Sequence, residues 1–483
     1  MESLFRAFHD AGRELFLVGG AVRDLAMGAS YQDLDDLDFC TDARPAESLE
    51  ILRRANFRTY DVGIEFGTVG AVLKGKSSEG YPKDVQVTTY RSKEMYSRGS
   101  RHPVVSYGNS VEEDLWRRDF SINSIAMDAR GNYVDPYNGR GDIERGILRA
   151  VGDPLERLTE DPLRILRIAR FMARLGFKTD PGLERAAHVK ATFLLDIARQ
   201  RWLQEMNKLL IGEHAPAALD FLARTRALGV ILPELVALVE LPRRCPAGPV
   251  HEDFWALTCA RVKRAGDNKV LSWAALLADV GRPWTRHVDP PIEGIDGPTL
   301  AGLSASAYPQ EPFPGTSVTF HNHAAMAGLM AKGLGRRFHF DTATLDEVAF
   351  VLGSQRAALA YSADWADPDV RRFVQEMSGH HAHVIAFGRI LQRDPAEGAG
   401  GADLDDLEAR IAALAARGAL VPEVPTGLGG ALMKAFGLKP GPILGELVEL
   451  LKEEMLDGRV GFGLEAADYI AHLRSVRPDL IAG

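Results

Sequence analysis

Cysteine is scarce in this sequence: only Cys40, Cys245 and Cys259 occur in 483 residues, widely separated and with no CxxC spacing. That scarcity excludes a disulfide framework and a cysteine-based zinc centre, and it suits a reducing, cytoplasmic compartment. Long apolar runs are missing too, none approaching the ~20 residues that a membrane helix needs. The opening stretch MESLFRAFHDAGRELFLVGG mixes acids and bases in an amphipathic pattern, where a secretion signal would carry a continuous apolar core. Nor is there a surplus of positive charge, since 57 Lys and Arg face 66 Asp and Glu, for a net charge of -9 and a pI near 5.9. A chain of that balance does not coat nucleic acid through its overall charge, so basic patches have to be sought locally.

What is present is an ordinary globular composition, 46% hydrophobic and 25% charged, in a chain long enough for roughly three or four domains. Residues 1–150 mix a short helix with strand-like runs (RELFLVGG, GTVGAVLKG, KDVQVTTY, INSIAMDA) and turn signals, which predicts an α+β domain. From EDPLRILRIARFMARLGF onward the periodicity is helical, over segments taken as 151–240, 241–395 and 396–483. The first of these is basic, with ten Lys or Arg against four Asp or Glu between Arg164 and Lys208. Residues 284–317, rich in Pro, Gly and Ser, are expected to form a long loop, and RDPAEGAGGADLDD to form a linker before a last helical segment. There is no internal repeat.

The densest chemistry lies in LVGGAVRDLAMGASYQDLDDLDFCTDARP, Leu17–Pro45. After the apolar LFLV, Gly19 and Gly20 let the backbone come close to a ligand, and the helix that follows points amides, with Arg23 one turn in, toward phosphate oxygens. Asp33, Asp35, Asp36 and Asp38 crowd into six residues. A strand places i and i+2 on one face, so either Asp33 with Asp35 or Asp36 with Asp38 presents paired carboxylates, and the period alone does not choose. Such a pair suits hard divalent cations such as Mg²⁺, which bind through one or two carboxylates plus substrate phosphates.

In their order and approximate spacing, LVGGAVRD, DLDFCTDARP, EEDLWRRDFSINSIAMD, VDPYNGRGDI and EDPLRILRIARF resemble the successive motifs of the class II tRNA nucleotidyltransferase and bacterial poly(A) polymerase family. The resemblance spans Leu17–Phe171. With Thr41, Ala43, Arg44 and Pro45 in the family's register, it implies that Asp36 and Asp38 are the catalytic, metal-holding aspartates. It further implies a polymerase-β-like α+β head, then all-α RNA-binding and HD-like domains. Two departures stand out. Gln86 occupies a place where the family often has glutamate, with Asp84 two residues earlier, and the loop YRSKEMYSRGSRHPVV lacks the family's usual aspartates.

Within that frame Arg117, Arg118 and Asp119 of RRDF, with Asn123, are expected to bind sugar and phosphate. A carboxylate accepts from a ribose hydroxyl, and arginine binds phosphate. Asp161 and Arg164 are three apart and are expected on one helical face. A carboxylate that takes an exocyclic amino hydrogen, beside a guanidinium that donates to a ring nitrogen, fits cytosine and adenine and rejects uracil and guanine. Arg164, Arg167, Arg170 and Arg174 span about a third of the helix circumference at ~100° per residue, a stripe suited to triphosphate at one end and, through Arg170 and Arg174, to RNA backbone further along.

HEDFWALTCARV, LSWAALLADVGRPWTR and VTFHNHAAMAGLM resemble an HD-type domain in which Leu257, Ala278, Asp279 and Asp394 stand where metal ligands belong. With histidines lost from that set, the domain is expected to be degenerate. His251, His321 and His323 remain as side chains that can in principle bind metal, and of these His321 and His323, in FHNHA, are read as structural or solvated. The expected activity is Mg²⁺-dependent addition of CCA to the 3′ end of tRNA from CTP and ATP. A poly(A) polymerase or a partial CC- or A-adding enzyme is the alternative on the same scaffold. Leu257 and Ala278 speak against an HD-type phosphohydrolase, and the nearly complete nucleotide motifs against a non-catalytic RNA-binding protein.

Overall fold

The computed structural model describes residues 1–34, 37–76, 82–96, 103–239, 253–289, 317–394 and 402–478. The chain divides into two compact units, Met1–Leu241 with Leu334–Phe340, and Pro242–Gly333 with Asp341–Gly483. The boundary drawn from sequence at residue 150 falls inside the first unit.

That unit is built on a seven-stranded mixed sheet. Its strands are β1 (Leu15–Val18), β2 (Leu37–Thr41), β3 (Arg58–Gly63), β4 (Thr68–Lys76), β5 (Pro82–Thr89), β8 (Ala126–Met127) and β9 (Tyr133–Val134), in the order β3-β4-β5-β2-β1-β8-β9. The strands β6 (Arg91–Tyr96) and β7 (Pro103–Tyr107) form a separate hairpin. Within this sheet, among the described residues, β2 and β5 are the one parallel pair, with Asp38 beside Gln86 in the register. On β2 the alternation of apolar and polar residues decides what faces where. Leu37 and Phe39 enter the main core with Leu17, Val69 and Val87, against the helices α1 (Glu2–Asp10) and α3 (Pro45–Arg54).

The opposite face is apolar only at one end, where Cys40 packs with Val18, Tyr90 and the residues Val111 and Leu115 of α4 (Val111–Trp116). Asp38, one pleat away on that face, is exposed. The helix α2 (Gly20–Ala26) follows β1, and α5 (Gly139–Arg145) follows β9.

Helices complete the unit. α6 (Pro154–Glu160) begins on an Asp153 cap that accepts from Glu156 N, with Pro154 in the first turn. α7 (Arg164–Leu175) buries Ile165, Leu166, Ile168 and Phe171 and stops at Gly176, whose φ of 71° is the left-handed cap conformation glycine adopts readily. α8 (Pro181–Lys190) and α9 (Arg199–Leu210) follow. The single helix expected across Asp161 and Arg164 is interrupted. Pro162 disfavours helical geometry at the residue before it, and Asp161 accordingly lies at φ -141°, ψ 95°, between α6 and α7.

The second unit is mainly helical. It includes the helices Phe254–Ala265, Lys269–Leu277, Thr342–Gly353, Asp367–Glu376, His381–Leu391 and Leu404–Ala416. Its last three helices close on Leu432, Leu447, Leu451, Tyr469 and Leu473. The expected loop 284–317 is bordered by a short antiparallel ladder, Arg286–Asp289 with Ser317–Phe320, so its ends are strands. Residues 290–316, the linker residues 395–401, Cys245 and His251 lie outside the described residues.

Candidate active site

A cavity of about 1280 Å³ opens in the first unit between the exposed end of β2, the start of α2, the end of α4 and the α6–α7 junction. Ten basic and six acidic residues line it, the reverse of the balance of the whole chain. Asp38 is on its wall, and Asp33 is on it too, but as part of a local turn in which its carboxylate accepts from the amide and hydroxyl of Ser30. Asp35 and Asp36 lie outside the described residues. Gln86, the register partner of Asp38, is likewise exposed.

Gly19 and Gly20 border the cavity where β1 turns into α2. Gly19 has φ 73°, and a Cβ there would meet Arg118 Nη1 at 3.0 Å, so both its backbone and the neighbouring guanidinium favour glycine. Arg23 is buried and serves as a strut. Its guanidinium donates to Asp24 Oδ1 and, across a hundred residues, to Asn123 Oδ1 at 2.8 Å.

From there a chain of bonds runs through the RRDF region. Asn123 Nδ2 donates to Asp119 Oδ1 at 3.0 Å, which also accepts from the Phe120 amide, while Oδ2 accepts from Arg167 Nε and Nη2 at 2.9 and 2.5 Å. Burial alone would raise the Asp119 carboxyl. The charges of Arg167 and Arg164 and the bonds from Asn123 and Arg167 outweigh it and hold the group far below the ordinary carboxylate range. All of its roughly four lone-pair sites are thereby engaged. The structure therefore gives Asp119 a bracing place, and a ribose hydroxyl reaches it only if Arg167 or Asn123 turns toward the ligand.

Arg117 and Arg118 both close on Asp114, at 2.7 and 2.9 Å. Asp114 is fully buried, and the two guanidinium charges overcome its burial to keep it ionised. Burial also works against the Arg118 cation, and Asp114, with a smaller contribution from Asp38, raises it above its usual value.

At the α6–α7 junction Arg164 donates Nη1 to the Arg157 carbonyl (2.9 Å) and to Glu160 (3.2 Å), and Nη2 to the Arg117 carbonyl (3.2 Å). Three of five N–H groups are spent on fixing its plane. Asp161 accepts from the Leu163 amide and from Arg201 Nη2 at 3.3 Å. The two residues line one cavity, although they do not share a helix. Along α7, Arg167, Arg170 and Arg174 also face it. Arg170 is largely buried and pairs with Glu205, whereas Arg174 is 60% exposed and reaches Asp24 at 3.1 Å.

Several residues of this architecture escaped the reading of the sequence: Asp114, Trp116, Arg157, Glu160, Arg201 and Glu205. A signal for Asp114 was present in DLWRR, where one acid stands three and four residues before two arginines. Arg201 and Glu205 sit on α9, and no local spacing links them to Asp161 or Arg170.

In the second unit, Asp279 and Asp394 come together from 115 residues apart, and a guanidinium joins them. Arg261 donates Nη1 to Asp279 at 2.5 Å and Nε to Asp394 at 2.7 Å, with Arg282 and Arg264 completing the pairs. Ala278 is buried, Leu257 is half-buried, and His323 sets Nδ1 3.1 Å from the Phe320 carbonyl. Among the described residues no group of three or more His, Cys, Asp or Glu is placed to hold a metal.

Comparison with known proteins gives this geometry its context. Residues 15–149 match the family model of the poly A polymerase head domain, and residues 176–238 match that of the probable RNA and SrmB-binding site of polymerase A. The chain is 39% identical over 297 residues to a CCA-adding enzyme of Geobacillus stearothermophilus, covering 57% of this chain and 70% of the relative. With a CCA-adding enzyme of Streptococcus suis it shares 29% identity over 450 residues, 93% of this chain and 90% of that one. The crystal structure of the Bacillus stearothermophilus CCA-adding enzyme in complex with CTP superposes with a TM-score of 0.63 at 25% identity, covering 99% of this chain and 97% of the other.

Proposed function

This chain belongs to the family of CCA-adding enzymes, and from that premise we propose that its cavity takes CTP and ATP in turn and joins them to the 3′ end of tRNA. It is a nucleotidyltransferase. The RNA hydroxyl gives up its proton to water and attacks the α-phosphorus of the nucleotide, a new P–O bond forms, the bond to the oxygen bridging the α- and β-phosphates breaks, and pyrophosphate leaves with the electron pair. The observation that carries this reading is the sharing of one cavity by Asp38, the basic side chains and the Asp161–Arg164 junction.

Asp38, together with Asp36, would hold the divalent ion. A carboxylate at an open cavity edge, with room for phosphate oxygens, fits a hard cation of the Mg²⁺ type. Such an ion supplies a more acidic RNA hydroxyl and offsets charge on the departing pyrophosphate. The chain's own groups do the rest. The arginines just after α4 and those along α7 attract and orient the triphosphate, and most of the acceleration comes from placement and fixed charge. Arg164, its plane set by two backbone carbonyls, keeps N–H groups for a ring nitrogen, and Asp161 accepts from an exocyclic amine. Cytosine and adenine satisfy both groups.

The test is incubation of the protein with tRNA ending before CCA and each labelled nucleotide, with product length read on a gel. The expected product is three nucleotides longer and requires CTP and ATP. A long adenylate tract, or arrest after one kind of nucleotide, assigns the chain to poly(A) synthesis or partial addition. In Arg164→Ala the preference for CTP over UTP should fall by about tenfold to a hundredfold, the worth of one charge-assisted hydrogen bond. Unchanged ratios of kcat/KM would remove Arg164 from base selection.

A further inference from the structure

We propose that Trp116 is the platform on which the 3′-terminal base of the RNA primer stacks, a positioning role that rests on the reading of the cavity as the nucleotidyl-transfer site. Trp116 ends α4 immediately before the two arginines that close on Asp114, and its side chain lines the cavity while remaining 47% exposed. Leaving an indole in water forgoes one of the largest apolar burials a side chain offers. Among the described residues it is the only exposed large aromatic on the cavity wall.

The ring is also held in place, which a merely stray surface residue would not need. Arg157 places its guanidinium 5.6 Å from the ring centroid and donates to the Trp116 carbonyl, and the Tyr137 ring lies 5.7 Å away at an angle of 53°. Gly152, at φ +81°, makes room for the edge of the indole, since a Cβ there would stand 2.8 Å from Cη2. A ring fixed by its neighbours and still half in solvent is preorganised to receive a flat partner.

The basic lining of the same cavity selects an anionic partner, and a nucleobase on a phosphate backbone is both flat and anionic. Of the two bases present during reaction, the primer's fits better. The Arg23–Asn123–Asp119 part of the wall is buried, whereas Trp116 is half in solvent, and a strand that arrives from solvent meets the exposed part of the wall. Stacking is tolerant of base identity, and that tolerance suits a site that must accept a primer ending first in the tRNA's own last base and then in cytosine.

The experiment compares the full-length protein with Trp116→Ala and Trp116→Phe on tRNA lacking CCA. The expected result is a rise of about tenfold in KM for tRNA in Trp116→Ala, with KM for CTP and the CTP-to-UTP preference unchanged and with rescue to within about twofold in Trp116→Phe. A short RNA ending before CCA should quench an indole signal that Trp116→Phe lacks. A KM for tRNA that stays within twofold in a folded Trp116→Ala protein overturns the proposal. So does a rise confined to KM for CTP, which would place the incoming base on the ring. If the wild-type protein adds nothing to tRNA, the functional reading fails by itself, and the quenching titration still decides whether Trp116 binds an RNA base.

Discussion

Asp38 and Asp33 are five residues apart, equally acidic, and separated by what holds them. Asp38 is fixed on a strand between Leu37 and Phe39, both in the core, so its carboxylate is aimed by packing it does not itself contribute. Asp33 spends its acceptors on the turn at Ser30. Asp38→Ala should therefore leave the fold intact, because an exposed side chain is removed, and should reduce nucleotide incorporation by at least ~10²-fold, the scale of losing a charged group at the reacting centre. Asp33→Ala should cost well under ~1 kcal/mol in stability and retain most activity. Incorporation rates and circular dichroism of the two variants decide it. Comparable activities, or a severe loss confined to Asp33→Ala, would show that the metal-holding carboxylates had been assigned to the wrong register. At this scale the sequence was informative wherever chemistry is local. Gly19, Arg117 and Arg118 stood out as adjacent residues in motifs of the family, and Asp38 through the register of Thr41, Ala43, Arg44 and Pro45, since the strand period alone left two aspartate pairs open. Arg201 did not, because its partner Asp161 is forty residues away and the two meet only through helix packing.

Between elements, the α6–α7 junction shows how one residue divides a helical stripe. The i,i+3 spacing of Asp161 and Arg164 suggested one continuous helix, and the residue between them that prevents it was visible in EDPLR. Pro162 both lacks the amide and pushes Asp161 into extended geometry. The break lets Asp161 take bonds from Leu163 and Arg201 while Arg164 opens a new helix against the Arg117 carbonyl. Pro162→Ala relaxes the constraint without removing any of these groups. Stability should change by about 1 kcal/mol or less, since the lost stiffness of the unfolded chain and the gained helix propensity oppose each other. The preference for CTP over UTP should fall while KM for tRNA holds. Steady-state rates with the four nucleotides provide the check, and an unchanged preference would mean that the carbonyls and Arg201 suffice to set the junction.

On the scale of the whole chain, a protein with net charge -9 gathers positive charge in places, along α7 of one unit and around the paired carboxylates of the other. The alternation of helix and strand made the α+β head legible, but the contents of the second unit were not, because Arg261 carries no motif. The guanidinium that joins Asp279 to Asp394 takes the role a metal ion would have between two carboxylates, and it brings its charge on a side chain that cannot be chelated away. Burial would raise the Asp279 carboxyl, yet Arg261 and Arg282 hold it well below the ordinary range. A carboxyl depressed on folding contributes stability above its unfolded value near ~3.9, and that stability is lost as pH falls through the lower folded value. The wild-type contribution should thus be level from neutrality down to about pH 4. Arg261→Met keeps much of the volume and leaves two buried carboxylates short of a partner. It should cost about 3–5 kcal/mol at neutral pH and flatten the acid-induced loss, because an Asp279 carboxyl that is no longer held so far below its unfolded value has less stability to lose on protonation. Urea unfolding of the full-length protein between pH 3 and 8, with and without EDTA, measures all of this. A midpoint lowered by EDTA in the wild type and equally in Asp38→Ala would assign the bridge between Asp279 and Asp394 to a metal. An Arg261→Met variant as stable as wild type at pH 7 would show that Arg264 and Arg282 alone neutralise the pair.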